Sequence, residues 1–493
     1  MTSPEVASLR AELTEIAESW QPDSKPQQSS DIFLTSAHIQ ALALDRSLVI
    51  GMRGAGKSFW SGVLTDDTLR PTLVQFVKGY GALVKVCSIR WDQGNSLSPN
   101  LPYSSDLTQA LDDGLEPRLL WLTLILNELR EECHRRGITV ELPAITNGWI
   151  NVLQWAKSNS DAIRRAFEQL NTALTRDGQV VLVVMDGLDR MAAQLAQSVD
   201  WLRGLLQLLL EARHLKGLRF KVFLREDMTI MSSVLSFPDA SKLINEAVHL
   251  KWSREEIYAL HWHKLAQHSQ KFQNLIEENF GPVKSGEQGY QHPSLTKSAP
   301  NERQLTVFLE YLASPYIGSG RVYLWWYKHL ADGKNRVSPR TFAASLKEAL
   351  KSSEKHDNSY VLTSNGIKQG VRAASEARIE ELKEDYFWVP EALSAFNDRL
   401  TPAFVKEIYG VWSGASIEGQ TIPKIIREQC IQRKIFLPWD DSDKLKSLSQ
   451  KLRDTLVELG ILILRDKETR LDIPDIYRLG YRIRKRGGVT PRK

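Results

Sequence analysis

The octapeptide GMRGAGKS, Gly51 to Ser58, constrains this 493-residue chain more than any other stretch. It fits the pattern G-x-x-x-x-G-K-[ST], and its flanks fit as well. The apolar run Ser47 to Ile50 reads as a short strand, and apolar periodicity from about Lys57 reads as a helix. Gly51, Gly54 and Gly56 allow backbone angles and close approaches that side chains forbid. The amides along Arg53, Ala55 and the glycines can therefore converge on an anion at a positive helix N-terminus. Such a loop expects a nucleotide. Lys57 would reach the β and γ phosphates and Ser58 would hold Mg²⁺. A Gly-rich turn that merely precedes a helix is the structural alternative.

A phosphate loop of this kind needs an acid on a neighbouring strand, and VVLVVMDGLDR, Val180 to Arg190, supplies one. Its near-uniform apolar run is that of a strand buried on both faces. Asp186 is the expected Mg²⁺ ligand. Gly187 follows it where a glutamate would commonly polarise water, and the next acid is Asp189. Asp189 is either a displaced base that positions water or the cap of a helix starting near Met191. Arg225 ends the apolar strand in GLRFKVFLRED, at the edge where ligands of parallel sheets sit. It would sense the γ phosphate, or else pair with Glu226 or Asp227 at the surface. Arg340, after Pro339 at a helix start, would fold back from a lid onto the nucleotide, or is an ordinary surface residue.

Strand, helix and strand recur from residue 31 to about 250, which makes a parallel sheet with helices on both faces the economical architecture. An N-terminal helix and a polar linker occupy 1–30, a helical lid 251–350, a linker 351–375, and an α+β domain with a basic tail 376–493. The Pro, Gly and Ser-rich stretch Gly281 to Pro300 reads as a surface loop. Hydrophobic residues at 42% and charged residues at 25% are globular values that argue against wholesale disorder. No apolar run approaches the roughly 20 residues of a membrane helix, and the N-terminus lacks the charge pattern of an export signal. Cys87, Cys133 and Cys430 are too scattered for disulfides or a cysteine metal site, so a cytoplasmic setting is expected. His261 and His263 sit two apart on a helix and face different ways, against a metal site. The aromatic YLWWYKHL, Tyr323 to Leu330, reads as lid packing.

The order of GMRGAGKS, VVMDGLDR, VFLRED, LKWSREE and SPRTF resembles the AAA+ and STAND-like branch of P-loop ATPases, bacterial types with a helical lid and a winged helix. That resemblance implies Lys57 and Ser58 on phosphate and Mg²⁺, Asp186 on Mg²⁺, Arg225 as a core sensor and Arg340 as a lid sensor. Gly187 departs from the motor pattern and favours slow hydrolysis that times a switch. LRDTLVELGILILRDKETRLDIP resembles a winged helix, with Arg465 to Arg470 at the wing tip.

Three functional readings follow. The first is an ATP-hydrolysing switch that changes homo-oligomerisation or contact with a protein partner. The second is a DNA-binding ATPase using the winged helix and the final YRIRKRGGVTPRK, which carries six basic residues and no acid. The net charge of +5 is too mild to argue DNA binding from the whole chain, and winged helices also dock proteins. The third is a regulator in a bacterial defence or conflict system, a layout this resemblance suggests. No effector domain is recognisable, so a partner would have to act.

Overall fold

The computed structural model describes residues 2–20, 28–74, 76–77, 79–91, 101–191, 195–230, 234–280, 302–354, 359–397, 399–414, 420–433, 437–439, 441, 444–486 and 489–490. The loop read at Gly281 to Pro300, most of the first polar linker and the last three residues of the basic tail lie outside them.

Five strands build the central sheet: β1 (Leu48–Gly51), β2 (Leu83–Arg90), β3 (Val180–Asp186), β4 (Leu218–Arg225) and β5 (Val248–Leu250). They are all parallel in the order β2-β3-β4-β1-β5. The period of two along each strand divides the core. Val181, Val183 and Met185 of β3 face one cluster, whereas Leu182 and Val184 face another. The first is covered by α4 (Pro117–Glu128), α5 (Ser160–Arg176) and α6 (Leu195–Glu211), the second by α2 (Ser36–Leu42) and α3 (Lys57–Thr65). Burial on both sides is why β3 and β4 read as almost unbroken apolar runs. Lys221 interrupts β4, and its place is structural. It is fully buried, and its ammonium donates to the carbonyls of Ala41 (2.8 Å), Ala43 (2.6 Å) and Arg46, closing the end of α2.

The helix α1 (Ser3–Ser19) packs against the lid helices α7 (Arg254–His268) and α9 (Pro339–Ser353), with its buried Arg10 donating to Val361 O at 2.9 Å. Between them lies α8 (Val322–Leu330), whose Tyr323 and Trp326 are buried against Tyr258 and Phe342. The aromatic run is thus lid core. His261 and His263 are buried in the same body, and the two His261 ring nitrogens lie 2.6 Å from Ile257 O and 3.2 Å from Pro339 O. Among the described residues no cluster of His, Cys, Asp and Glu could hold a metal by itself. No described helix is long and apolar enough to cross a membrane.

A 22-residue helix, α10 (Ser364–Asp385), starts within the stretch read as a second linker and runs against α9. Gly366 and Gly370 allow the approach, since a Cβ there would meet Ala349 O at 2.6 Å and Ser345 O at 2.2 Å. Beyond it, α11 (Val405–Ser413), α12 (Ile422–Gln432) and α13 (Leu448–Glu458) lead into a hairpin. The strands β6 (Leu400–Thr401), β7 (Ala403–Phe404), β8 (Ile463–Arg465), β9 (Arg470–Asp472) and β10 (Arg484–Lys485) complete a winged helix, with β8-β9-β7 as its sheet. α1, the lid and the winged helix share one continuous apolar cluster, from Leu9 through Trp326 and Leu346 to Leu452 and Leu471.

Candidate functional site

The site lies at the C-terminal edge of the sheet. In register Gly51 pairs with Arg225 across β1 and β4, and Arg90 pairs with Asp186 across β2 and β3. The acid strand is not beside the phosphate-loop strand, as the sequence reading assumed. β4 is inserted between β1 and β3, which opens a gap of two strand spacings, about 10 Å, with Arg225 in its centre.

The loop itself is curled as its glycines permit. Gly54 and Gly56 hold φ of +75° and +99°, and Gly56 precedes the first turn of α3. Lys57 Nζ donates to Gly51 O and Met52 O, both at 2.9 Å, and Trp252 Nε1 donates to Ala55 O at 2.9 Å. Burial lowers the Lys57 ammonium to about 8, helped by the charge of Arg225 and opposed by Asp227, Asp186 and Asp189. One field therefore connects all five groups. Ser58 is half-buried in the first turn of α3.

Asp186 is buried, and its Oδ2 has no hydrogen-bond partner; Arg90 Nε lies 3.9 Å from that oxygen. A desolvated carboxylate oxygen with capacity to spare is costly, and a cation ligand would satisfy it. The donor set fits Mg²⁺, a hard ion that takes carboxylate and hydroxyl oxygens together with phosphate.

Gly187 is in the left-handed region at φ +71°, and a Cβ on it would stand 2.3 Å from Trp91 O. No glutamate fits there without moving the end of β2. The chain then makes a 3-10 turn, Leu188–Arg190, and the following helix is described from Leu195 onward. Asp189 lies within that turn, its Oδ2 3.4 Å from Arg225 Nη1.

Arg225 is mostly buried rather than solvated. It meets Asp227 at 2.6 Å, Asp385 at 2.8 Å and Asp189 at 3.4 Å, and Glu226 turns instead to Lys334 and Arg336. Burial opposes its charge, but Asp227 and Asp385 win and push its pKa well up. Burial likewise opposes the Asp227 charge, yet Arg225, a hydrogen bond from Tyr386 and Lys57 hold it below its usual range.

The lid closes over the loop. A Cβ on Gly54 would lie 2.9 Å from Ser338 Oγ and 3.1 Å from Arg340 Cβ. Ser338 caps α9 by accepting from Thr341 N at 3.1 Å, which aims Arg340 at the loop. Arg340 Nη1 donates to Glu381 Oε1 at 2.9 Å, and Arg53 meets Asp385 at 2.7 Å and Glu384 at 2.9 Å. Lys57, Asp186, Asp189, Arg225, Arg53 and Arg340 therefore converge. Sequence reading missed Arg90, Glu381, Glu384, Asp385 and Tyr386, and it considered Asp227 only as a surface partner of Arg225. The acids of IEELKEDY were visible, and two of them in the last turn of a helix oppose its dipole, a local conflict that points to a cationic partner.

At the wing, Arg465 and Lys485 both reach the buried Asp472, at 2.7 and 2.8 Å. Arg470 lies 3.5 Å from Asp466 and over the Phe404 ring at 4.5 Å. The basic tail is partly folded into the domain. Arg478 is fully buried and donates to Ile483 O and Val489 O, and β10 pairs with β6, leaving Arg482, Arg484 and Arg486 exposed.

No protein-family model matches the chain, and no curated protein does. Two solved structures are similar in outline. One is Cdc6p from Pyrobaculum aerophilum, 12% identical over 93% of each chain with a TM-score of 0.31. The other is the ORC2 protein of Aeropyrum pernix with ADPNP and ADP, 12% identical over 92% of this chain and 91% of that one, with a TM-score of 0.30. At this distance the functional reading rests on the site itself.

Proposed function

We propose that the chain binds and slowly hydrolyses Mg-ATP and uses the nucleotide as a switch between core, lid and winged helix. The observation that carries the reading is the convergence, on one sheet edge, of the glycine loop, a buried carboxylate oxygen of Asp186 without a hydrogen-bond partner, and arginines from core and lid. In this reading the amides of Gly51 to Ser58 and the α3 N-terminus hold the phosphates, with Lys57 leaving its own loop carbonyls to meet them. Ser58 and Asp186 would hold Mg²⁺, which would supply neutralisation of phosphate charge. Arg225 and Arg340 stabilise charge that develops on transfer. Asp189 orients the attacking water from its turn, in place of the glutamate that Gly187 excludes. Asp189 Oδ2 already faces Arg225 Nη1 at 3.4 Å, so the oxygen that orients water is shared with that guanidinium, which supports slow turnover.

Titration of a fluorescent ATP analogue with Mg²⁺ tests this reading. Wild type should bind and Lys57→Ala should lose at least tenfold in affinity; equal binding by both would end it. Exposure of Arg482, Arg484 and Arg486 supports a second reading in which the switch works on DNA, since the wing arginines are committed internally. Placement in a bacterial defence or conflict system is a further part of the proposal, which neighbouring genes would test.

A further inference from the structure

The strongest feature outside the nucleotide reading is what occupies the arginines. Glu381, Glu384 and Asp385 fall within five residues at the C-terminal end of α10 and enter the site from the winged-helix side. Glu381 takes Arg340 at 2.9 Å and Arg378 at 2.7 Å; Asp385 takes Arg53 at 2.7 Å and Arg225 at 2.8 Å; Glu384 takes Arg53 at 2.9 Å. Arg53 Nη1 also donates to the backbone carbonyl of Glu381 at 3.3 Å. The negative end of a 22-residue helix thus meets Arg53 of the phosphate loop. Acids near the C-terminal end of a helix work against its dipole, and the arginines they meet offset that cost.

Three carboxylates and a carbonyl end resemble a polyphosphate in charge and in acceptor geometry. They draw on Arg53 of the loop, Arg225 of the core and Arg340 of the lid, and all three are groups that an anionic nucleotide would engage. We propose that the acidic end of α10 is an internal phosphate mimic, which holds the site shut and competes with nucleotide for these arginines. Nucleotide entry then displaces Asp385 and Glu381, and the displacement travels through α10 to the winged helix. Tyr386, next along the chain, donates to Asp227 beside Arg225, and the α10 residue Ser375 accepts from Gly480 N at 2.9 Å. α10 is thus tied at one end to the site and along its length to the C-terminal domain. This inference rests on the nucleotide reading above and adds the regulator of the same site.

The test uses the full chain with a fluorescent ATP analogue and Mg²⁺, comparing wild type, Glu384→Gln, Asp385→Asn and Glu381→Gln/Asp385→Asn. Thermal melting checks folding, and Glu384→Gln, at a largely exposed side chain, keeps the comparison valid if the double variant unfolds. Affinity should rise about threefold for Glu384→Gln and tenfold or more for the double variant. Hydrogen exchange in wild type should quicken at residues 381–388 when nucleotide is added. Unchanged or weaker affinity in folded variants, or slower exchange there on binding, overturns the inference while leaving the nucleotide reading intact. Absence of binding in wild type and in every variant overturns the nucleotide reading and the inference with it.

Discussion

Gly187→Ala is the sharpest probe of why this site departs from the Asp-Glu pattern. Two costs are separable. The first is conformational: a non-glycine residue at φ +71° gives up roughly 1–2 kcal/mol. The second is steric. The added Cβ would sit 2.3 Å from Trp91 O, a backbone atom that cannot swing aside as a side chain does. Relief requires β2 to shift against β3, and overpacking of that kind costs about 1–3 kcal/mol. The expected total is roughly 2–5 kcal/mol. Gly178→Ala is the control, because Gly178 has φ +63° with nothing within 4 Å of its would-be Cβ, so that it carries the first cost alone.

A chain of this size unfolds in more than one step, so a local readout is needed. Hydrogen exchange of the β3 amides from Val181 to Asp186, measured in both variants, reports the opening of that edge of the sheet. Protection should fall in Gly187→Ala by about 1–3 kcal/mol more than in Gly178→Ala. Equal effects would refute the claim that Trp91 dictates glycine here. Gly187→Glu should likewise fail to raise turnover, since the carboxylate cannot be seated without displacing β2. A Gly187→Glu variant that folds normally and hydrolyses ATP faster would refute the same reasoning from the functional side.

Three further outcomes are expected. Asp186→Ala should abolish Mg²⁺-dependent hydrolysis, whereas Asp189→Ala should lower kcat by roughly 10²–10⁴-fold with little change in nucleotide affinity; loss of affinity without loss of kcat would remove Asp189 from water positioning. Stability should depend on acid pH through Glu226, Asp227 and Glu381, all held below their usual range despite burial by Arg336, Arg225 and Arg378 respectively. Because the folded pKa values are depressed, the unfolded chain takes protons first. Their contribution is complete above about pH 5 and is lost as pH falls through the lowered values. Denaturation midpoints from pH 3 to 6 should show a flatter acid limb for Glu381→Gln than for wild type, and identical limbs would exclude Glu381 as a source. At the wing, Asp472→Asn should cost about 1–2 kcal/mol by weakening bonds to Arg465 and Lys485, discounted for the solvent around Arg465. If the DNA reading holds, Arg482→Ala/Arg484→Ala should reduce the log–log salt slope of duplex binding by about two, and a slope unaffected by both changes would exclude the tail strand.

The loop, the acid strand and the placement of Arg225 and Arg340 at the site were legible because each is local: a glycine pattern, an apolar run with a terminal acid, a strand-end or helix-start arginine. What the sequence could not show was which strands are neighbours. Val180 to Asp186 reads as a buried parallel strand in any order, and only the long-range pairing places β4 between it and β1. The same limit hid the partners of Arg225. Asp227 is two residues away and was considered, but Asp385 is 160 residues away and no period announces it. The wing shows the same limit. Its arginines look like a polyanion surface as a string, and the buried Asp472 that claims one of them sits in the apolar-patterned strand of the same hairpin.

Insertion of β4 has a mechanical consequence for a switch. With β1 and β3 adjacent, the loop and Asp186 would meet directly, and nucleotide could be sensed only within the core. With β4 between them, Arg225 stands midway between Asp189 on the acid-strand side and Asp385 from the C-terminal side. A guanidinium has a limited set of donors in a fixed plane, so any one it gives to a phosphate oxygen is withdrawn from one of these carboxylates. Asp385 shares its Oδ1 with Arg53 of the loop, so both arginines would leave it together when phosphate arrives. An isolated buried carboxylate is costly, and Asp385 stripped of both cations has to move toward solvent. It cannot do so alone, because it terminates α10, and α10 is packed along α9 and against Gly480 of the winged helix. Under the proposed phosphate mimicry, loss of two ion pairs at one residue would thereby be converted into displacement of a helix away from the site.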